Sequence, residues 1–85
     1  MNIGEVKAAI QAGIEASERS SQLMDEVRGK VCQTHELAEV TAQDSQHDTL
    51  TKGLQLLKAV DREITLTQRR LADGTSAADK YLRSL

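Results

Sequence analysis

Leu50, Leu57, Ile64, Leu71, Ala78 and Leu85 recur at every seventh position through the second half of the chain. Seven residues are close to two turns of an α-helix, so such a column runs along one side of a helix. In a strand, where side chains alternate at each residue, an odd spacing would put successive members on opposite faces. The column therefore predicts a long helix over about 49–84 with a coiled-coil-like seam. Leu54, Val60 and Tyr81 supply intermediate apolar positions, while Asp61, Thr67 and Gln68 fall near places where an ideal seam is apolar. Asp73-Gly74-Thr75-Ser76 could stop a helix, but the heptad phase survives it. That continuity favours one helix with a kink at Gly74.

The first half has its own period. Ile3, Val6, Ile10 and Ile14, then Leu23, Met24, Val27, Val31, Leu37 and Ala38, step mostly by three and four. This is the pattern of a helical face and predicts a helix over about 3–41. Asn2 and Glu5 have capping-box spacing, and Met1 and Val6 occupy the positions of a hydrophobic staple. Gly13 and Gly29 weaken the helix without ending it. Between the two periodic halves, Gln43-Asp44-Ser45-Gln46-His47-Asp48 has no apolar residue and several turn formers, so a turn is expected at about 43–48. Ser45 or Asp48 would cap the second helix.

Two helices of matching length joined by one turn make an antiparallel hairpin. A turn centred between Ser45 and Gln46 pairs residue i with residue 91−i. That register sets Val31 by Val60, Val27 by Ile64, Thr34 by Leu57 and Ile10 by Tyr81. The expected fold class is all-α, a single helical-hairpin domain over 1–85. Its expected seam holds Val27, Val31, Leu50, Leu54, Leu57, Val60, Ile64 and Leu71.

Composition narrows the alternatives. The chain has 85 residues, no Pro, no Trp, no Phe, one Tyr and one Cys. A disulfide framework needs paired cysteines. A membrane span needs about 20 nearly continuous apolar residues, and no such run occurs. A secretory signal would need an uninterrupted apolar core near the start, which Glu5, Lys7 and Gln11 break, so a cytoplasmic location is expected. A core made almost wholly of Leu, Ile, Val, Met and Ala in so short a chain is thin, which points to an oligomer or a partner.

Small residues mark one end of the hairpin. Ala9, Gly13, Ser17 and Ser21 lie four apart, and the register sets them beside Gly74 and Ala78. This waist reads as a tightly packed end or as a shallow groove for a partner's side chains. Other apolar residues lie off the seam: Leu23, Leu37, Leu56 and Leu66. They are candidates for an outer interface, most simply in a dimer of hairpins forming a four-helix bundle.

Reactive chemistry finds little support. Cys32, His35 and Glu39 share a helix face and are of zinc-ligand types, but a closed zinc site takes four ligands, and only His47 lies nearby. Cys32 and His35 lack a third, orienting group and an oxyanion pocket. Asp25 and Glu26 diverge on a helix, and no glycine-rich phosphate loop occurs. No catalysis, metal or cofactor is expected. Residues 1–42 carry seven acidic and four basic side chains, and residues 43–85 carry six and seven. Lys58, Arg62, Arg69 and Arg70 could face an acidic partner, but without aromatics among them they cannot stack bases. Nucleic acid is thus a weaker expectation than a protein.

In its Ser45-Gln46-His47-Asp48 turn, its Gly53-Leu54-Gln55-Leu56-Leu57 run and its Tyr81-Leu82-Arg83-Ser84-Leu85 ending, the chain resembles small actinobacterial helical-hairpin proteins. Through them it resembles the WXG type associated with type VII secretion. It has no Trp for a W-x-G turn, and Leu85 stands where that family's Tyr-x-x-x-Asp/Glu signal has its acid. Leaderless export therefore has no matched signal. The resemblance implies a non-catalytic adaptor or secretion-associated partner that works by bundle formation, as a homodimer or with another helical protein. The alternatives are a small nucleic-acid-associated regulator or antitoxin, and a structural coiled-coil assembly protein.

Overall fold

The computed structural model describes residues 1–41 and 47–85. The turn expected at 43–48 lies mostly outside the described residues, as does the Ser45 cap. Two helices make up the rest: α1, Ile3–Thr41, and α2, Asp48–Ser84. They pack against each other as an all-α antiparallel hairpin, with no strand among the described residues.

The start of α1 is set by its cap. Asn2 Oδ1 accepts a hydrogen bond from the Glu5 backbone N–H at 2.8 Å, satisfying a donor that the first turn leaves without a partner. The hydrophobic staple does not form, because Met1 is 97% exposed. At the start of α2, His47 is the N-cap and its side chain makes no capping bond. Asp48 is not the cap but the first helical residue, where its charge complements the helix dipole. α2 then runs without interruption through Gly74.

The register follows from four cross-helix hydrogen bonds. Residue numbers add to 89 for Arg28–Asp61 and Ser21–Gln68, and to 93 for Cys32–Asp61 and Asp25–Gln68. These values straddle 91, the sum given by a turn centred between Ser45 and Gln46.

A two-helix hairpin has one seam and no interior. No described residue is fully buried. The molecule measures 63 × 17 × 15 Å with a radius of gyration of 19.1 Å, against about 12 Å for a compact chain of 85 residues. Its accessible surface is 6640 Å², where a compact monomer of this mass would expose roughly 5,000 Å².

Two substitutions check this account by urea denaturation. Asn2→Ala should lower stability by about 1 kcal/mol through loss of the cap. Gly29→Ala should raise it by about 1 kcal/mol through helix propensity, since a Cβ there meets no atom within 4 Å.

Candidate interaction face

Two columns of α2 form the seam. One is the sequence column Leu50, Leu57, Ile64, Leu71 and Ala78, each of them half-buried. The other is Leu54, Asp61, Gln68, Thr75 and Leu82, also half-buried. From α1 the seam takes Ile14, Ser17, Ser21, Met24, Arg28 and Val31, continuing through His35 and Ala38. Val27 and Val60, expected in the seam, are exposed, and so is Tyr81. The column Gly53, Val60, Thr67, Gly74 and Tyr81 satisfies heptad spacing equally well, so apolar content alone does not choose between the two. Hydrogen bonding does. Arg28 Nε donates to Asp61 Oδ1 at 2.7 Å. Gln68 Nε2 donates to the Ser21 carbonyl at 3.0 Å and to Asp25 Oδ1 at 2.8 Å. Each bond ties the mid-seam polar residues of α2 to α1. The hydrogen bond and charge of Asp61 hold the Arg28 guanidinium above its usual pKa.

One seam residue lacks such a match. His35 has a side chain only 14% exposed, and its Nε2 is buried without a hydrogen-bond partner. Glu39 Oε1 stands 3.7 Å away, beyond hydrogen-bond reach.

Flanks run along both sides of the seam. On one side Gly13 and Gly74 border a common groove at the open end, and Val27, Thr34 and Leu57 border another nearer the turn. The flanks of α1 and α2 that carry these residues therefore share one side of the hairpin. Among the described residues eleven large apolar side chains are exposed, of which Met1, Ile3 and Leu85 are near the ends of the chain. Of the remaining eight, six lie on this side by helical phase: Leu23, Val27, Leu37, Leu56, Val60 and Tyr81. Val40 and Leu66 lie on the outer backs of their helices, so Leu66 does not join Leu23, Leu37 and Leu56. Among the described residues Lys30, Glu63 and Arg70 are the charged side chains of this side by phase. The Thr34 and Thr41 hydroxyls are held by carbonyls of their own helix, at 2.9 and 2.8 Å.

The opposite side is polar. Glu18, Ser76 and Asp79 border one groove there, and Cys32, Glu36 and Lys58 another. By phase it carries Glu15, Glu18, Asp25, Glu36 and Glu39 from α1, and Lys58, Arg62, Arg69, Asp79 and Arg83 from α2, the last two paired at 2.7 Å. Arg70, grouped with these bases in the sequence, falls on the apolar side. Acidic and basic stripes thus lie next to each other and offset one another's field.

The waist residues are brought together, though not for tight packing. Gly13, Ser17, Gly74 and Ala78 line the open-end groove, and Ser21 lines the groove on the polar side of the seam. Ala9 is exposed. A Cβ added at Gly13 or Gly74 would meet nothing within 4 Å, so the hairpin itself does not use their small size. The Ser17 hydroxyl donates to the Gly13 carbonyl at 2.9 Å. Cys32 is an exposed free thiol directed at Asp61, with Sγ 3.9 Å from Oδ1, rather than at His35. Among the described residues no cluster of three His, Cys, Asp or Glu side chains could hold a metal ion, and no helix is long and apolar enough to cross a membrane.

No family model, no curated protein and no solved structure matches this chain.

His35→Leu should raise stability by about 1–2 kcal/mol, because it removes a desolvated nitrogen that makes no bond. Thermal unfolding followed by circular dichroism checks this, and a loss of stability would show that His35 makes a compensating interaction.

Proposed function

We propose that this chain is a non-catalytic protein–protein interaction module, an adaptor or secretion-associated partner that acts by completing a helical bundle. The observation that supports this reading most is the sorting of exposed apolar side chains. Six of the eight that lie away from the ends of the chain share one side of the hairpin. A side that gathers most of the exposed large apolar side chains is what a partner would cover. The surface left open, 6640 Å², exceeds that of a compact monomer by more than 1,000 Å² on the usual scaling. A type VII secretion setting is suggested by the resemblance of the turn and the Leu-rich run, and it is part of the proposal.

The mechanism is burial of Leu and Val side chains against another helical pair, with the few charges on that side choosing register. Light scattering of the protein, alone and co-expressed with proteins encoded beside it, tests this. A dimer or a heteromeric complex is the expected result, and a monomer in both preparations would end the proposal. Leu56→Lys should weaken association at least about tenfold while leaving helicity unchanged, since an exposed side chain contributes little to the hairpin itself.

A further inference from the structure

Along the apolar side of α2, positions can be counted outwards from Thr67. Glu63 and Arg70 lie four and three residues away, opposite in charge. Val60 and Gly74 lie seven away on either hand, one large and one absent as a side chain. Leu56 and Ala77 follow at eleven and ten, then Gly53 and Tyr81 at fourteen. Every pair matches bulk with space, or acid with base.

The same counting works on α1 from Leu23. Val27 balances Ser20, Lys30 balances Ala16, Thr34 balances Gly13, and Leu37 balances Ala9. The two centres, Leu23 and Thr67, add to 90, so the hairpin register sets them at the same height. Two helices therefore share one centre of complementarity. On this side the hairpin is thick over Leu37, Leu56 and Val60 and thin over Gly13, Gly74 and Ala77, where the glycines leave room that no atom of the chain fills, and the sense reverses at the extremes, with Gly53 near the turn and Tyr81 near the open end.

We infer that this side is covered by a second copy of the chain, turned end for end about a twofold axis passing by Leu23 and Thr67. This rests on the interaction-module reading and names its partner. In that arrangement α2 crosses antiparallel to α2 of the other copy, and α1 to α1. Glu63 meets the other copy's Arg70 twice, Val60 and Leu56 seat on Gly74 and Ala77, and Tyr81 seats on Gly53. A self-matching patch is what a twofold interface requires. The area suffices: a side 63 Å by 17 Å projects to roughly 1,000 Å², above the ~800 Å² per partner of a standard interface. Pairing with turns at the same end would instead set thick on thick and leave the thin stretches apart.

Sedimentation equilibrium of the full chain, with cysteine cross-linking, tests the inference. The sites are introduced in a Cys32→Ser background. A dimer is expected, with Thr67→Cys bridged to its own copy by a short bismaleimide and Thr34→Cys not bridged. In the reversed pair the two Thr34 positions are about 30 Å apart at 1.5 Å per residue. Glu63→Arg should raise the dimer dissociation constant at least about tenfold, and adding Arg70→Glu should restore it. Positions seven apart do not touch within one helix, so the rescue reads contact between copies. Circular dichroism confirms that each variant stays helical. A dimer that bridges Thr34→Cys but not Thr67→Cys overturns the arrangement. A monomer that forms a complex only with a co-expressed neighbour overturns the second copy while the interaction-module reading stands. A monomer in both preparations overturns both.

Discussion

The rotation of α2 against α1 is set by the hydrogen bonds in the middle of the seam, and most of the surface follows from that rotation. Burial by itself discriminates weakly here, because no described residue is fully buried in either helix. The apolar column from Leu50 to Ala78 can be flanked by the column holding Asp61 or by the column holding Val60. The first gives Arg28 and the Ser21 carbonyl their partners, at 2.7 and 3.0 Å. It also sets Leu54 and Leu82 in the seam where the second would set Gly53 and Tyr81. Polar residues inside a helical interface are known for fixing register at some cost in stability, and Asp61 and Gln68 fit that role.

Fixing the rotation decides what is left outside. Val60 and Tyr81 are turned out of the seam, and Val27 leaves it on the matching side of α1. They join Leu23, Leu37 and Leu56. α1 consequently carries apolar residues in two directions, towards α2 and towards the flank, and its amphipathicity is the weaker of the two helices. α2 concentrates them and is more strongly amphipathic. On the other flank, acidic α1 and basic α2 lie side by side. That flank is polar, and the bases of α2 offset part of the charge of the acids of α1.

Much of the hairpin was legible in the sequence because it depends on local chemistry and on periodicity. The heptad column needs only the helical period, and the Asn2 cap needs only the side chain and the first turn. The register needs only the position of one polar break. The rotation was not legible from hydrophobicity, since Val60 is the better apolar residue and Asp61 the worse. Leu54 and Leu82 bracket the Asp61 column in strict heptad phase, although the register of 91 sets Asp61 beside Lys30, two residues from the Arg28 it pairs with. Charge pairs across that register do not choose the rotation either, since Arg28 falls opposite Glu63 and Lys30 opposite Asp61. Of the two readings of the waist, a tightly packed end is not what the hairpin forms, and a shallow groove lies there instead. Glycines four residues from other small residues suggest close packing, but Gly13 and Gly74 face space that the hairpin does not occupy.

That unused space bears on orientation as well as on the existence of a partner. Glycine inside a helix costs about 1 kcal/mol relative to alanine, so two glycines that relieve no internal contact weaken the hairpin for no gain of its own. A partner with turns at the same end would carry its own glycines to the same height and leave a void there, and voids at an interface forfeit dispersion and desolvation together. A partner reversed end for end brings Val60 to Gly74 and Thr34 to Gly13, so the cost within each helix is offset by close approach between copies. The same reversal carries Glu63 to Arg70, charges that lie too far apart within one helix to interact. Steric and electrostatic matching thus select one orientation for independent reasons, and both are centred at the height of Leu23 and Thr67.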